Sequence, residues 1–231
     1  MPAYEVWETR PATLDEMIAN GSSGDVKVAV IESIADAPAA ARHIARVAQD
    51  NGLSNHIQTA LSKSPAYKAW LRAMPSTTPA QISRYQKEYE KSDLSAVSKE
   101  IEQSGSFLSD GQCLFHGGLW PPCGSNIFVT TRPLSTSLCP QVALRNAEYK
   151  AKAYDAGRLD LFVLRAANLR TKAYVFKRKG TKLGHESEVL VATGACLTLK
   201  AATFIRSDYP AAKWGRPNKE IPIYALEAEF S

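Results

Sequence analysis

Up to about residue 105, the apolar positions of this chain recur at helical spacing. Tyr67, Trp70, Leu71 and Met74 follow an i, i+3, i+4, i+7 pattern, Ile82, Tyr85 and Tyr89 continue it, and Leu94, Val97 and Ile101 form another such run. Ile44 and Val47 share a face in the same way. Breaks fall at Asn51-Gly52 and at Pro75-Ser76-Thr77-Thr78-Pro79, where Thr78 before Pro79 has the form of an N-cap with proline in the first turn. Residues 12–104 are therefore read as four or five helices, with the aromatic positions as helix-packing core.

Beyond Gly105 the period shortens to two and β-branched residues gather in short runs. Strands are expected over 113–115, 127–130, 159–164, 173–176, 188–191, 203–206 and 221–230. In the last of these Leu226, Ala228 and Phe230 alternate with Glu227 and Glu229, as in a half-buried strand. Residues 134–138 read as a further strand, running into a helix over 140–157 that carries Val142, Leu144 and Tyr149. A helical part (1–105) followed by a mainly β part (106–231) gives an α+β protein. Neither an internal repeat nor a low-complexity tract is visible.

Composition narrows the class without naming it. At 231 residues, 45% hydrophobic and 22% charged, the chain has the make-up of a soluble globular protein. No stretch approaches the roughly 18–20 consecutive apolar residues of a membrane-spanning helix. The first residues lack the basic and then apolar segments of a secretory signal, so the expected setting is the cytoplasm, its own or a target cell's after delivery. Cys113, Cys123, Cys139 and Cys196 form no CxxC pair. Cys113 and His116 with Cys123 and Cys139 offer zinc-ligand types, but structural zinc takes two closely spaced pairs and the second is missing. Reduced thiols and no metal are expected.

Three segments of the β part carry candidate chemistry. Leu114-Phe115-His116-Gly117-Gly118 is a strand ending in a glycine pair. Leu134-Ser135-Thr136-Ser137-Leu138 is a strand entering a helix, and Gly184-His185-Glu186-Ser187-Glu188-Val189-Leu190 opens a strand with two carboxylates. Side chains at i and i+2 of a strand face one side, so Glu186 and Glu188 would share a cleft, where repulsion raises the proton affinity of one of them. Two such groups suit chemistry at an anomeric carbon, one stabilising an oxocarbenium ion while the other prepares a nucleophile. Each segment also has a bland reading: a solvated strand edge for Glu-x-Glu, caps and turns for the hydroxyls, a structural residue for the histidine.

In combination and order, the three segments resemble the R-S-E class of mono-ADP-ribosyltransferases, which includes arginine-modifying bacterial toxins, phage transferases and vertebrate ecto-enzymes. The resemblance covers roughly residues 110–230. It lies chiefly in Pro133-Leu134-Ser135-Thr136-Ser137-Leu138-Cys139-Pro140 and in Glu186-Ser187-Glu188-Val189-Leu190, with Thr198 to Phe204 leading into the next strand. It implies a split-β catalytic domain over 106–231 that takes NAD as co-substrate. Glu188 would bond the nicotinamide-ribose 2′-hydroxyl and stabilise the transition state. Ser135 would hold Glu188 and the ribose, Glu186 would activate or orient the acceptor, and Thr136 and Ser137 would support the NAD pocket. His116 and Gly117 would contact NAD, but the family has an arginine where this chain has His116. A histidine, with an ordinary pKa of about 6.5, gives no permanent bidentate charge. Weaker NAD binding, or compensation by Arg132 or Arg145, is expected.

For the acceptor two expectations remain open. In the family, Glu-x-Glu accompanies protein arginine. The preceding turn, with Lys177, Arg178, Lys179 and Lys182, instead favours a phosphate backbone such as RNA or DNA, with Tyr174 and Phe176 near enough to stack on a base. The same turn also reads as a solvated hairpin tip. The alternatives to a transferase are an NAD glycohydrolase toxin and an inactive, binding-only copy of the fold. The helical part would cover the NAD cleft and bind the acceptor, or dock a controlling partner such as an antitoxin, immunity protein or chaperone.

Overall fold

Val26, Val28 and Val30 alternate with Lys27 and Ala29, a strand pattern inside the region read as helical. In the computed structural model, which describes residues 2–21, 24–121, 125–177 and 187–231, that pattern is a strand. Strands β1 (Tyr4–Pro11) and β2 (Asp25–Ile34) pair antiparallel around helix α1 (Leu14–Asn20), correcting the expectation of helices alone. The apolar residues of β2 are a poor guide to burial, since Val28, Val30 and Ile31 remain 55%, 44% and 63% exposed. A capping box between Thr13 and Glu16 starts α1, and Arg10 clasps the same glutamate at 2.6 and 2.8 Å.

Five more helices follow: α2 (Ala37–Val47), α3 (Asn51–Lys63), α4 (Pro65–Ala73), α5 (Ala80–Lys87) and α6 (Leu94–Ser104). With α1 this makes six α-helices among the described residues of 12–104, against four or five expected. Asn51-Gly52 opens α3 rather than separating helices, because the Asp50 carboxylate accepts from the Leu53 amide at 3.0 Å and caps the first turn. Thr78 does not cap α5. The Glu100 carboxylate, reaching over from α6, accepts from the amides of Gln81 and Ile82 at 2.8 and 3.0 Å instead. Tyr67, Met74, Ile82, Tyr85, Val97 and Ile101 are buried as the spacing predicts, whereas Val47 and Tyr89 are exposed. The buried His43 of α2 ties this region together, its ring nitrogens facing Glu32 of β2 at 3.2 Å and Asp50 at 2.9 Å.

The second half supplies β3 (Cys113–Gly118), β4 (Ile127–Val129), β5 (Leu134–Ser137), α7 (Pro140–Glu148), α8 (Lys152–Ala156), β6 (Leu159–Ala166), β7 (Ala173–Val175), β8 (Glu188–Val191), β9 (Cys196–Ala211) and β10 (Lys219–Phe230). The helix expected over 140–157 is thus broken. Lys150 and Ala151 both take left-handed backbone angles (φ 56° and 58°) and turn the chain between α7 and α8. Strand β9 is far longer than the 203–206 expected. Its outer residues are exposed and show no apolar alternation, so pairing with β10, not local pattern, makes it a strand.

The strand order is β4-β9-β10-β6-β3-β5-β8-β7, with β10 and β6 parallel and the other pairs antiparallel. β6 reads as a continuous apolar run because both its faces are covered. Leu114, Phe162 and Leu164 face one core with Tyr67, Ile82 and Ile101, while Phe115, Leu161 and Val163 face the other with Ile34, Ile44 and Ile57. Residues from both sides of position 105 build both cores, so that position marks a change of element type and not a boundary between cores. The seam between β3 and β5 is different. There a single residue pair, Phe115 opposite Ser137, joins the two parts of the sheet.

Candidate active site

At that seam the sheet parts, and four of the residues singled out in the sequence meet. Ser137 lies opposite Glu188 in the β5–β8 register. Two residues before it and on the same face, Ser135 donates its hydroxyl to Glu188 Oε1 at 2.9 Å. Glu188 is 7% exposed, and its other oxygen, Oε2, accepts from the Gln86 amide at 2.8 Å. A charged carboxylate so buried needs such donors. The residue before it, Ser187, has φ 48°, a left-handed angle that a non-glycine residue keeps only when its surroundings hold it. Here Gln58 donates to its hydroxyl at 2.8 Å and the Leu138 amide to its carbonyl at 3.1 Å.

His116, on β3 across the seam, reaches the Ser135 carbonyl with Nδ1 at 2.7 Å. Burial pushes its pKa down to about 4, and the nearby charges of Lys152 and Arg132 push the same way against the Ser135 bond. The ring is therefore neutral near pH 7. With Nδ1–H donating to a carbonyl, Nε2 carries a lone pair and accepts. Gly118 leaves space beside that nitrogen, since a Cβ there would stand 2.8 Å from it. Gly117 has a different role: a Cβ at that position would come within 1.9 Å of the Ala143 carbonyl, so its missing side chain lets α7 close on β3.

The other two hydroxyls of this run bond the main chain. Thr136 donates to the Val189 carbonyl at 2.6 Å, and Ser137 accepts from the Cys139 amide at 3.0 Å at the start of α7. Lys177 turns its ammonium onto the carbonyls of Met74 and Pro75, at 3.1 and 2.8 Å, satisfying the end of α4. Tyr174 and Phe176 pack edge to face in the core, so neither is placed to stack on a base. Glu186, Arg178, Lys179 and Lys182 lie outside the described residues, as does Cys123.

Cations do gather beside His116. Arg132 donates to the Tyr89 hydroxyl at 3.1 Å, Lys150 bonds Glu90, and Lys152 follows the left-handed turn. The Lys152 pKa is lowered by burial and by Arg132 and Lys150. Arg145 is exposed on α7.

Several contributors carry no recognisable motif. Gln58 and Gln86 come from α3 and α5, 129 and 102 positions before the groups they bond. Asp160 does have a signal, as an acidic residue inside an apolar run. It is buried, accepts from the Trp120 amide at 2.9 Å and Arg158 at 2.7 Å, and so fixes Trp120, whose ring stacks on Phe162 next to His116. A separate cavity of about 300 Å³, lined in part by Glu148, Tyr154 and Tyr209, includes none of these residues.

No protein-family model matches the sequence, and no curated protein matches it. Solved structures do resemble the fold. One is Plx2a, an ADP-ribosyltransferase toxin from Paenibacillus larvae (TM-score 0.48, 11% identity, 77% of this chain and 96% of that one). Another is the ADP-ribosylating toxin BECa of a C. perfringens binary enterotoxin, with NADH (0.45, 13%, 77% and 48%). A third is C3stau2 from S. aureus with NAD (0.39, 13%, 78% and 93%). Likeness at this level does not carry an activity across, and the site's own chemistry has to supply one.

Proposed function

We propose that this chain is a mono-ADP-ribosyltransferase that cleaves the nicotinamide–ribose bond of NAD and transfers ADP-ribose to a macromolecule. The observation that carries this reading is the buried Glu188 carboxylate, held by Ser135 at the seam of the sheet beside a neutral histidine. A fixed carboxylate next to a sugar hydroxyl stabilises positive charge developing at the anomeric carbon. In this scheme the C1′–N bond breaks, nicotinamide leaves with the bonding electrons, and the oxocarbenium-like centre lies against Glu188. The acceptor then attacks C1′ and loses a proton, with Glu186 as the group that orients or receives it. His116 Nε2 accepts from a ribose hydroxyl. Arg132 and Lys152 supply the positive field for the diphosphate that His116 cannot, and the Trp120 ring offers a flat apolar surface to a base.

For the acceptor, protein arginine and nucleic acid both remain within this proposal. The core positions of Tyr174 and Phe176 remove one of the two features that favoured a nucleobase. NAD labelled on the adenylate phosphate separates the cases when incubated with cell extract. Label released by protease identifies protein, and label released by nuclease identifies nucleic acid. Free nicotinamide with no macromolecular label identifies a glycohydrolase.

The deciding variant is Glu188→Gln. It keeps the shape and removes the charge, and nicotinamide release is expected to fall at least about 100-fold with unchanged thermal unfolding. Near-normal release would rule out the carboxylate mechanism.

A further inference from the structure

Glu188 receives a donor on each oxygen, and the second donor comes from the N-terminal helices. Gln86 lies on α5, whose Ile82 and Tyr85 are buried in the core. Both ends of that segment are tied to other elements. At its start Glu100 accepts from the Gln81 and Ile82 amides. Past its end, in the turn Tyr89–Lys91, Tyr89 accepts from Arg132 and Glu90 bonds Lys150. Tyr85 and Tyr89 brace each other edge to face, with ring centroids 5.2 Å apart. Burial and the Glu188 charge hold the Tyr85 phenol proton more tightly than usual, so this neighbour adds no second anion. A long polar side chain on a helix secured this way has its amide set in place before any ligand arrives.

We propose that Gln86 is the positioning residue for Glu188: its amide on Oε2 and the Ser135 hydroxyl on Oε1 hold the carboxylate plane fixed toward the NAD ribose. The inference rests on the reading of Glu188 as the group that acts on NAD. A carboxylate gripped at one oxygen swings about its terminal torsion, whereas one gripped at both does not. Losing the grip weakens stabilisation made in the transition state more than it weakens ground-state binding.

The test is Gln86→Leu, similar in size and without a donor, beside Gln86→Glu. With Gln86→Leu, kcat for nicotinamide release should fall by about 10- to 100-fold while KM for NAD stays within about 2-fold. The acid limb of the kcat/KM profile should move up by about one pH unit, because a bond to the charged form has gone. With Gln86→Glu, two carboxylates face each other at neutral pH, and the lost activity should return as pH falls and a shared proton restores the donor. Unchanged kcat and acid limb would overturn the proposal. So would a lower KM at constant kcat, since the amide would then compete with the ribose. If the wild-type protein releases no nicotinamide, the functional reading fails, and the grip is still measurable by carboxyl ¹³C titration. The Glu188 resonance, identified by its loss in Glu188→Gln, should titrate about one unit higher in Gln86→Leu than in wild type. An equal midpoint would mean that no grip exists.

Discussion

A histidine whose Nδ1–H is engaged by a main-chain carbonyl has one nitrogen left for a ligand, and at His116 that nitrogen is kept unprotonated by burial and by neighbouring cations. The folded pKa, about 4, lies below the ordinary value, so between about 6.5 and 4 the unfolded chain binds the proton that the folded chain refuses. Stability is therefore unaffected by this group above about pH 6.5 and declines as pH falls toward 4. In an NMR titration the His116 ring protons should stay fixed from pH 8 to 5 and move only near pH 4. The acid-induced loss of stability across that window should shrink in His116→Gln. A midpoint near the ordinary value would mean that the ring is solvated and available as a cation. The contact between Ser135 and Glu188 was expected from the resemblance read in the sequence, and the structure has it at 2.9 Å. The protonation state of His116 was not legible, because it depends first on burial and then on a carbonyl 19 positions away and the charges of Lys152 and Arg132.

Among the elements, the contact of α7 with β3 shows how little freedom the site's frame has. Ala143 brings its carbonyl to where Gly117 would carry a Cβ, and the Ala147 side chain is 2.8 Å from the same point. Gly117→Ala must push α7 away from the strand that holds His116. A loss of about 2 kcal/mol is expected, seen as a lower urea midpoint at constant slope. No change in midpoint would show that the helix is free to shift. The helices α4 to α6 were readable from apolar spacing, since each buries a face against the sheet. The β1–β2 pair and most of β9 were missed: β2 does alternate at Val26, Val28 and Val30, but its residues, like the outer ones of β9, stay exposed and become strand by pairing. The cap of α5 was missed because Glu100 lies 19 positions away from the amide it accepts.

At the scale of the whole molecule, the change from helical to β pattern near Gly105 divides the chain by element, while residues of both halves share both cores. One face of the sheet needs Tyr67, Ile82 and Ile101 to cover Phe162 and Leu164; the other needs Ile34, Ile44 and Ile57 to cover Leu161 and Val163. A chain of residues 106–231 alone would present to water the first apolar face and the part of the second that α7 does not cover, at about 25 cal/mol for each Å² uncovered. It is expected to lack a cooperative thermal transition, and to regain one when residues 1–105 are co-expressed as a separate chain. A sharp unassisted transition would show instead that the β part has a core of its own. The same experiment bears on the site. Gln58 and Gln86 reach Ser187 and Glu188 only from the first half, so a β part that folded alone would still lack the two amides that hold these residues.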